Sequence, residues 1–196
     1  GVLTPEGNLA GWLDRLLLPG TMYTEFNEPE GILSTVPSVS TALLGVFAGH
    51  LLRLEREELT GLKKGMIIIG AGIISLLLGI LWGTFFPINK NLWTSSFVLF
   101  AGGWSLMLLG LFYLIIDVRK IKKWAFFFVV IGMNSITIYV LQNRILRFDI
   151  IRDFFLKGVY DLSPATVQPF ISSLGYIAVV WLFLWFLYRN RIFLKV

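Results

Sequence analysis

Five long apolar segments run through the chain and constrain its fold more than any other feature. They cover approximately residues 36–54, 65–86, 95–116, 124–142 and 170–188. Each is close to the roughly 20 residues that an α-helix needs to cross the hydrocarbon layer of a bilayer. Only 15% of the residues are charged, whereas soluble domains carry about 25%. We therefore predict an all-α fold, a polytopic membrane helix bundle with about five transmembrane helices in residues 35–196.

Two further segments have the periodicity of amphipathic helices. In residues 8–18, Leu9, Trp12 and Leu16 share one face, and a Pro-Gly pair follows as a stop signal. In residues 144–157, an apolar stripe that includes Ile150 and Phe154 lies beside arginines and aspartates. A helix with one apolar and one charged face lies in the membrane interface. We expect two interfacial helices, the first of them within an extracytoplasmic segment, residues 1–34.

The charges of the loops predict the orientation in the membrane. Basic residues follow the first, third and fifth spans: Arg53, Arg56, Lys63, Lys64, Arg119, Lys120, Lys122, Lys123, Arg189, Arg191 and Lys195. The segment before the first span has five acidic residues and one arginine. Because cytoplasmic loops are enriched in Lys and Arg, we expect the start of the chain outside and its C-terminus in the cytoplasm. This pattern explains the net charge of +5 without a nucleic-acid partner.

Polar residues interrupt the fourth apolar segment. Asn134 and Ser135 are adjacent, and Thr137 and Gln142 follow. Ser135 and Gln142 are seven residues apart and so share a helix face, which Asn134 and Thr137 flank. An unpaired amide is costly in hydrocarbon, so such residues usually face the bundle interior or a water-filled cavity. They either form interhelical hydrogen bonds or line a substrate path or active site.

Two charged groups flank the first span. Glu28 and Glu30 precede it on the outer side, where a carboxylate could act as a general base or bind an amine or sugar, or could simply be solvated. His50, Arg53 and Arg56 lie at its cytoplasmic end, where they could hold phosphates. With one histidine and no cysteine, no metal site is predicted.

Glycines recur within the spans. GVFAG at 45–49 and GILWG at 79–83 are both GxxxG motifs, and Gly70, Gly72, Gly102, Gly103 and Gly110 add to them. Glycines let helix backbones approach closely in lipid, so we expect these residues to lie at helix contacts.

Three ordered blocks together resemble a known family. They are NLAGWLDRLLLPG at 8–20, EPEGILSTVPSVSTALLGVFAGHLLR at 28–53 and GMNSITIYV at 132–140. With the spans, they resemble the C-terminal half of the heparan-alpha-glucosaminide N-acetyltransferase family, which includes bacterial members. The Asp-Pro-Glu-Gly motif usual in the family reads Glu28-Pro29-Glu30-Gly31 here, a conservative departure.

The resemblance implies a membrane acyltransferase that carries an acetyl group from cytoplasmic acetyl-CoA to an amino sugar on the far side. It also implies a bacterial inner-membrane location and a homodimer. The family's proposed catalytic histidine belongs to its N-terminal half, and His50 does not match that motif. The first residues carry neither an initiator Met nor a signal-peptide pattern. We therefore expect a C-terminal portion that needs the N-terminal half of the same protein and is inactive alone.

These expectations assign roles to eight residues. The roles are catalytic for Asn134 and Ser135, acceptor-binding for Glu28, Glu30 and Gln142, and acetyl-CoA-binding for His50, Arg53 and Arg56. A sugar transporter or permease would use the same polar stripe and acidic entrance as a path. In a non-catalytic membrane scaffold, the polar residues would serve packing alone.

Overall fold

The structure is a computed structural model that describes residues 2–4, 6–26, 28 and 30–193, apart from the side chains of residues 143 and 144. Pro29 and Lys195, both named above, lie outside the described residues. The helices are α1 (Leu9–Leu17), α2 (Ile32–Arg53), α3 (Gly61–Gly83), α4 (Ser95–Tyr113), α5 (Phe126–Gly132), α6 (Ser135–Arg144), α7 (Phe148–Asp161) and α8 (Gln168–Arg189). A π-helical turn, Leu114–Val118, extends α4. All regular elements of the described residues are helical, which confirms the predicted all-α class.

Four of these helices are long and apolar enough to cross a membrane. They are α2, α3, α4 together with its π-helical turn, and α8. They correspond to predicted spans one, two, three and five, and they make the chain an integral membrane protein. Side-chain caps begin two of them. Thr60 Oγ1 accepts a hydrogen bond from Lys63 N, and Thr94 Oγ1 accepts one from Phe97 N. Such caps satisfy donors that the first helical turn leaves unpaired.

The predicted fourth span, residues 124–142, is not one continuous helix. It is interrupted at Met133 and Asn134, which separate the 7-residue α5 from the 10-residue α6. Asn134 has φ −132° and ψ 31°, outside the helical region. Glycine weakens a helix, and Asn and Ser favour helix ends because their side chains compete for backbone hydrogen bonds. Gly132, Asn134 and Ser135 therefore favour a break that hydropathy alone does not reveal.

The chain forms two compact units, residues 1–121 and 122–196. In the first unit, glycines bring α3 and α4 into backbone contact. A Cβ atom on Gly103 would lie 2.6 Å from Leu76 N, and one on Gly79 would lie 2.6 Å from Phe100 N. By contrast, a Cβ atom on Gly45 or Gly49 would meet no described atom within 4 Å. The expected packing role therefore holds for Gly79 and Gly103, whereas Gly45 and Gly49 contact no other helix in the described structure.

In the second unit, α5 and α7 pack against α8. Its buried core consists of Val130, Ile138, Phe148, Leu184 and Leu187. The Trp181 ring stacks on Phe127 with centroids 5.7 Å apart, and its Nε1 donates to Phe127 O at 3.1 Å. The broken segment is thus held to a membrane-length helix by packing and by a directed hydrogen bond.

Both segments predicted as amphipathic helices are helical. Helix α1 exposes Leu9, Trp12, Leu16 and Leu17, and helix α7 exposes Ile150, Ile151, Phe154 and Phe155. Helix α7 begins and ends four residues later than predicted. The position of both helices in the membrane interface stays a prediction.

Candidate functional site

Asn134 lies buried where the fourth apolar segment breaks. Its side chain is 2% exposed, and that of Thr137 is 8% exposed. The Thr137 hydroxyl donates to Asn134 Oδ1 at 3.4 Å. Among the described residues, Asn134 Nδ2 is the one buried side-chain nitrogen or oxygen without a hydrogen-bond partner. A buried donor left unpaired costs about 1–3 kcal/mol, so the site retains a hydrogen-bond donor that is available to an acceptor.

The start of α6 adds backbone donors beside this amide. Asn134 is the residue before the helix, and its side chain forms no capping bond. Its carbonyl accepts a hydrogen bond from Ile138 N at 3.0 Å, which is the first backbone hydrogen bond of α6. The first N–H groups of a helix have no intrahelical partner and carry a partial positive charge. Irregular backbone at membrane depth is tolerated where it is buried in protein or lines a cavity. The break therefore gathers donors suited to a carbonyl oxygen or an anion.

The polar residues of α6 divide between the interior and the surface. Asn134 and Thr137 are buried, whereas Ser135 and Gln142 are exposed. The structure thus brings together Asn134 and Thr137, which were expected to flank the polar face of the helix. It leaves exposed Ser135 and Gln142, which were expected to define that face. Thr137 was not predicted as a site residue. Its spacing of three from Asn134 was the available signal, since residues three apart are neighbours on a helix.

Asp14 connects α1 to the start of α2, a contact that the sequence patterns do not predict. Its side chain is 1% exposed, and Oδ1 accepts from Ile32 N at 2.9 Å. Gly31 precedes α2 and has no side chain with which to cap it. A Cβ atom on Gly31 would overlap the Asp14 carboxylate. The glycine of the Glu-Pro-Glu-Gly motif therefore admits a cap supplied from α1. The absence of a capping side chain at Gly31 could have indicated that a residue elsewhere in the chain supplies the cap.

The two glutamates predicted to bind an acceptor have different environments. Glu28 is half-buried, and its Oε2 accepts from Tyr23 N at 2.8 Å. Glu30 is exposed, and its carboxylate has no hydrogen bond or ion pair within the described part of the chain. The guanidinium of Arg15 donates to Phe26 O at 2.7 Å, which ties the same loop to α1. Glu28 and Arg15 therefore shape the loop, and Glu30 remains available to a ligand.

The basic group lies at the opposite end of α2. His50 and Arg53 are exposed in the last turn, and Arg56 is exposed three residues beyond. Lys64 is 9% exposed, and its Nζ donates to Leu52 O at 3.0 Å. Lys64 therefore satisfies a terminal carbonyl of α2, while the three predicted residues are left to solvent, where they could bind an anion.

Ion pairs balance part of the positive charge around α7. Arg147 contacts Asp149 at 2.9 Å, and Arg152 contacts Asp153 at 2.8 Å. The hydrogen bond from Arg147 lowers the pKa of Asp149, and the hydrogen bond from Arg152 lowers that of Asp153. These pairs account for arginines in a segment predicted to lie outside. Within the described residues, no three His, Cys, Asp or Glu side chains are placed to hold a metal ion.

Comparison with known proteins supports the resemblance read from the motifs. No protein-family model matches the chain. The chain is 29% identical over 97% of its length to heparan-alpha-glucosaminide N-acetyltransferase of Mus musculus, and 28% identical over 97% to that of Homo sapiens. It spans about 30% of the length of each relative, in the C-terminal part. The predicted resemblance is confirmed, over a shorter share of the relatives than the predicted half.

Proposed function

We propose that this chain forms the C-terminal membrane region of an acyltransferase that moves an acetyl group from acetyl-CoA to an amino sugar. The observation that carries the proposal is the buried, unpartnered Nδ2 of Asn134 at the break between α5 and α6. The similarity to two N-acetyltransferases over 97% of the chain supports the reaction class.

In this reaction the amine nitrogen bonds to the acetyl carbon and the bond from that carbon to sulfur breaks. Coenzyme A leaves as its thiolate, and the amine proton passes to a base, which returns it to that thiolate. Negative charge develops on the carbonyl oxygen during the attack. Asn134 Nδ2 donates a hydrogen bond to that oxygen, and the N–H groups that begin α6 add positive potential. Thr137 orients the amide by donating to Asn134 Oδ1. The resemblance implies a catalytic histidine in the N-terminal half, which we propose acts together with Asn134.

Helix α2 separates the proposed donor and acceptor sides. Its 22 residues span about 33 Å at roughly 1.5 Å per residue, close to the thickness of a bilayer core. Glu30 at one end binds the acceptor outside, with Glu28 shaping the loop. Gln142 of α6 stays a proposed acceptor-binding residue from the sequence. His50, Arg53 and Arg56 at the other end hold the phosphates of acetyl-CoA in the cytoplasm. We propose a bacterial inner-membrane location, as the family resemblance implies, with the C-terminus of the chain in the cytoplasm, as the loop charges favour.

The partners of the chain follow from the same proposal. The N-terminal half of the protein completes the proposed active site, and the bilayer surrounds the exposed apolar faces. The family resemblance also implies a homodimer. Ser135 is exposed on the described surface of α6. It takes part in catalysis only when that half covers it.

The test is acetyl transfer by the full-length protein in proteoliposomes, with Asn134→Ala compared with Asn91→Ala, an exposed asparagine. Loss of one such donor lowers kcat by about 10²–10³-fold. In Asn134→Ala, Nδ2 has no partner to lose, but the Thr137 hydroxyl loses its acceptor, a loss of about 1 kcal/mol. We therefore expect the Tm to fall by only a few degrees. A Tm that falls in proportion to activity would instead make Asn134 a packing residue.

A sugar permease is the second candidate, because discontinuous membrane helices often form substrate sites in transporters. Acetyl-CoA binding separates the two functions. Acetyl-CoA should raise the Tm of the full-length acyltransferase, and Arg53→Ala and Arg56→Ala should weaken that rise. A Tm raised by a sugar and unmoved by acetyl-CoA would favour the permease, and no response to either ligand would favour a scaffold.

A further inference from the structure

A cavity of about 760 Å³ lies between α1, the start of α2 and the connection from α3 to α4. Its walls are mainly apolar and include Leu9, Trp12, Leu33, Pro37, Leu92 and Trp93. Cavities of roughly 300–1,000 Å³ with apolar walls are typical of small-molecule sites. None of the eight residues assigned above to catalysis or substrate binding lines it. The cavity therefore shares no lining residue with those proposed sites.

Most polar groups at the cavity wall already have partners within the protein. Asn8 Oδ1 accepts from Gly11 N, and Asn8 Nδ2 donates to Thr4 O. The Thr94 hydroxyl bonds to Pro87 O, and Ser95 Oγ accepts from Trp82 Nε1. The two terminal nitrogens of Arg15 donate to backbone carbonyls. The exposed carboxylate of Glu6 is a further polar group at the wall. A sugar would need several convergent donors and acceptors here, and the wall offers few, so its chemistry favours an apolar ligand.

Trp93 holds an unusual conformation at this wall. Its φ is +49°, in the left-handed region that bulky residues rarely adopt. Such backbone conformations cost on the order of 1–3 kcal/mol and often occur at ligand sites. The indole Nε1 donates a hydrogen bond to Thr41 Oγ1 at 3.1 Å. The ring packs edge-on against the Phe97 ring, with the two centroids 5.4 Å apart. The side chain is thus fixed in place against α2 and α4 as a rigid part of the wall.

The cavity is continuous with the exposed apolar face of α1. Leu9 and Trp12 line it and are also 67% and 53% exposed. Leu16 and Leu17 extend the same exposed surface along the helix. Because α2, α3 and α4 have the length of membrane spans, α1 lies at the end of the spans. An amphipathic helix in that place contacts lipid, so lipid chains reach the mouth of the cavity.

We propose that this cavity binds one acyl chain of a membrane phospholipid. The chain enters along Leu9 and Trp12 and lies between Leu33 of α2 and the fixed ring of Trp93. This site is independent of acetyl transfer, because it uses none of the residues assigned to that reaction.

The experiment is native mass spectrometry of the full-length protein, stripped of lipid in detergent and titrated with a palmitoyl-oleoyl phosphatidylglycerol. Ala10 lines the cavity, and Ala10→Phe should fill part of it. We expect one tightly retained lipid per wild-type chain and binding at least about tenfold weaker in Ala10→Phe, because each excluded methylene weakens it about fourfold. Ala42→Phe is the matched control, since Ala42 is exposed on α2 and does not line the cavity.

A second filling variant, Leu33→Trp, tests the opposite wall in case Ala10→Phe lowers the Tm. Weaker retention in either folded variant supports the acyl-chain site. The proposal is overturned if both folded variants retain lipid as the wild type does, which would indicate general surface lipid. It is also overturned if the wild type retains no lipid, or if glucosamine binds and these variants abolish that binding instead.

Discussion

The carboxylate of Asp14 accepts a hydrogen bond from the backbone N–H of Ile32 at 2.9 Å, 18 residues along the chain. The contact ties the amphipathic α1 to the first turn of the membrane-length α2. It depends on Gly31, because a side chain there would overlap the carboxylate. A negatively charged side chain at the start of a helix also interacts favourably with the partial positive charge of that helix end. Asp14 therefore positions α1 and the loop that carries Glu30.

We expect Asp14→Ala to destabilise the protein by about 1–3 kcal/mol, because it removes a buried cap. Gly31→Ala should destabilise it through steric overlap with the same carboxylate. Removing that carboxylate relieves the overlap. The double variant should therefore lose less stability than the two single variants lose together. Chemical unfolding in detergent measures all three, with Asp161→Ala on the exposed surface as control. Strict additivity would contradict the proposed contact.

The glycines of α3 and α4 should respond differently from those of α2. Gly103→Ala should cost about 1–3 kcal/mol, since the added methyl group meets the backbone of Leu76. Gly45→Ala should be neutral, or should stabilise by about 0.5–1 kcal/mol, because alanine is the better helix former. Thermal unfolding of both variants gives the comparison. A large loss at Gly45 would mean that a further helix packs against that face.

Thr137 acts as a positioning residue for Asn134. Thr137→Val keeps the shape and removes the donor to Asn134 Oδ1, so the amide loses its fixed orientation. We expect kcat to fall by about 10- to 100-fold with little change in KM, and Thr137→Ser to restore most of it. Steady-state kinetics of the full-length protein measures both constants. A serine variant as impaired as the valine variant would assign Thr137 to packing alone.

The ion pair between Arg147 and Asp149 should make the stability of the protein depend on pH. The hydrogen bond from Arg147 lowers the pKa of the Asp149 carboxyl in the folded state. The pair therefore contributes stability above the unfolded-state pKa of aspartate, and this is lost as pH falls through the lower folded-state value. Arg147→Gln should raise the pKa of Asp149, measured by carboxyl-carbon NMR. Asp153 pairs with Arg152 and should change little, so an equal rise at both aspartates would contradict the assignment.

The amino-acid sequence alone predicted the helical segments and the four helices that are long enough to cross a membrane, but not the break in residues 124–142. Continuous apolar length identifies α2, α3, α4 and α8, and a helical period of apolar residues identifies α1 and α7. Both signals are local, since each depends on residues within a few turns of one another. The motif blocks likewise predicted the relatives that the comparisons found.

Tertiary structure decided which of the polar and glycine residues meet a partner. Asn134 and Ser135 are neighbours in one apolar segment, yet one is buried without a partner for Nδ2 and the other is exposed. Gly45 and Gly103 both lie in glycine-rich spans, but only Gly103 meets another helix. The physical reason is that burial and pairing depend on the surface opposite a residue, and packing between distant segments supplies that surface. Hydropathy and periodicity describe only the segment itself.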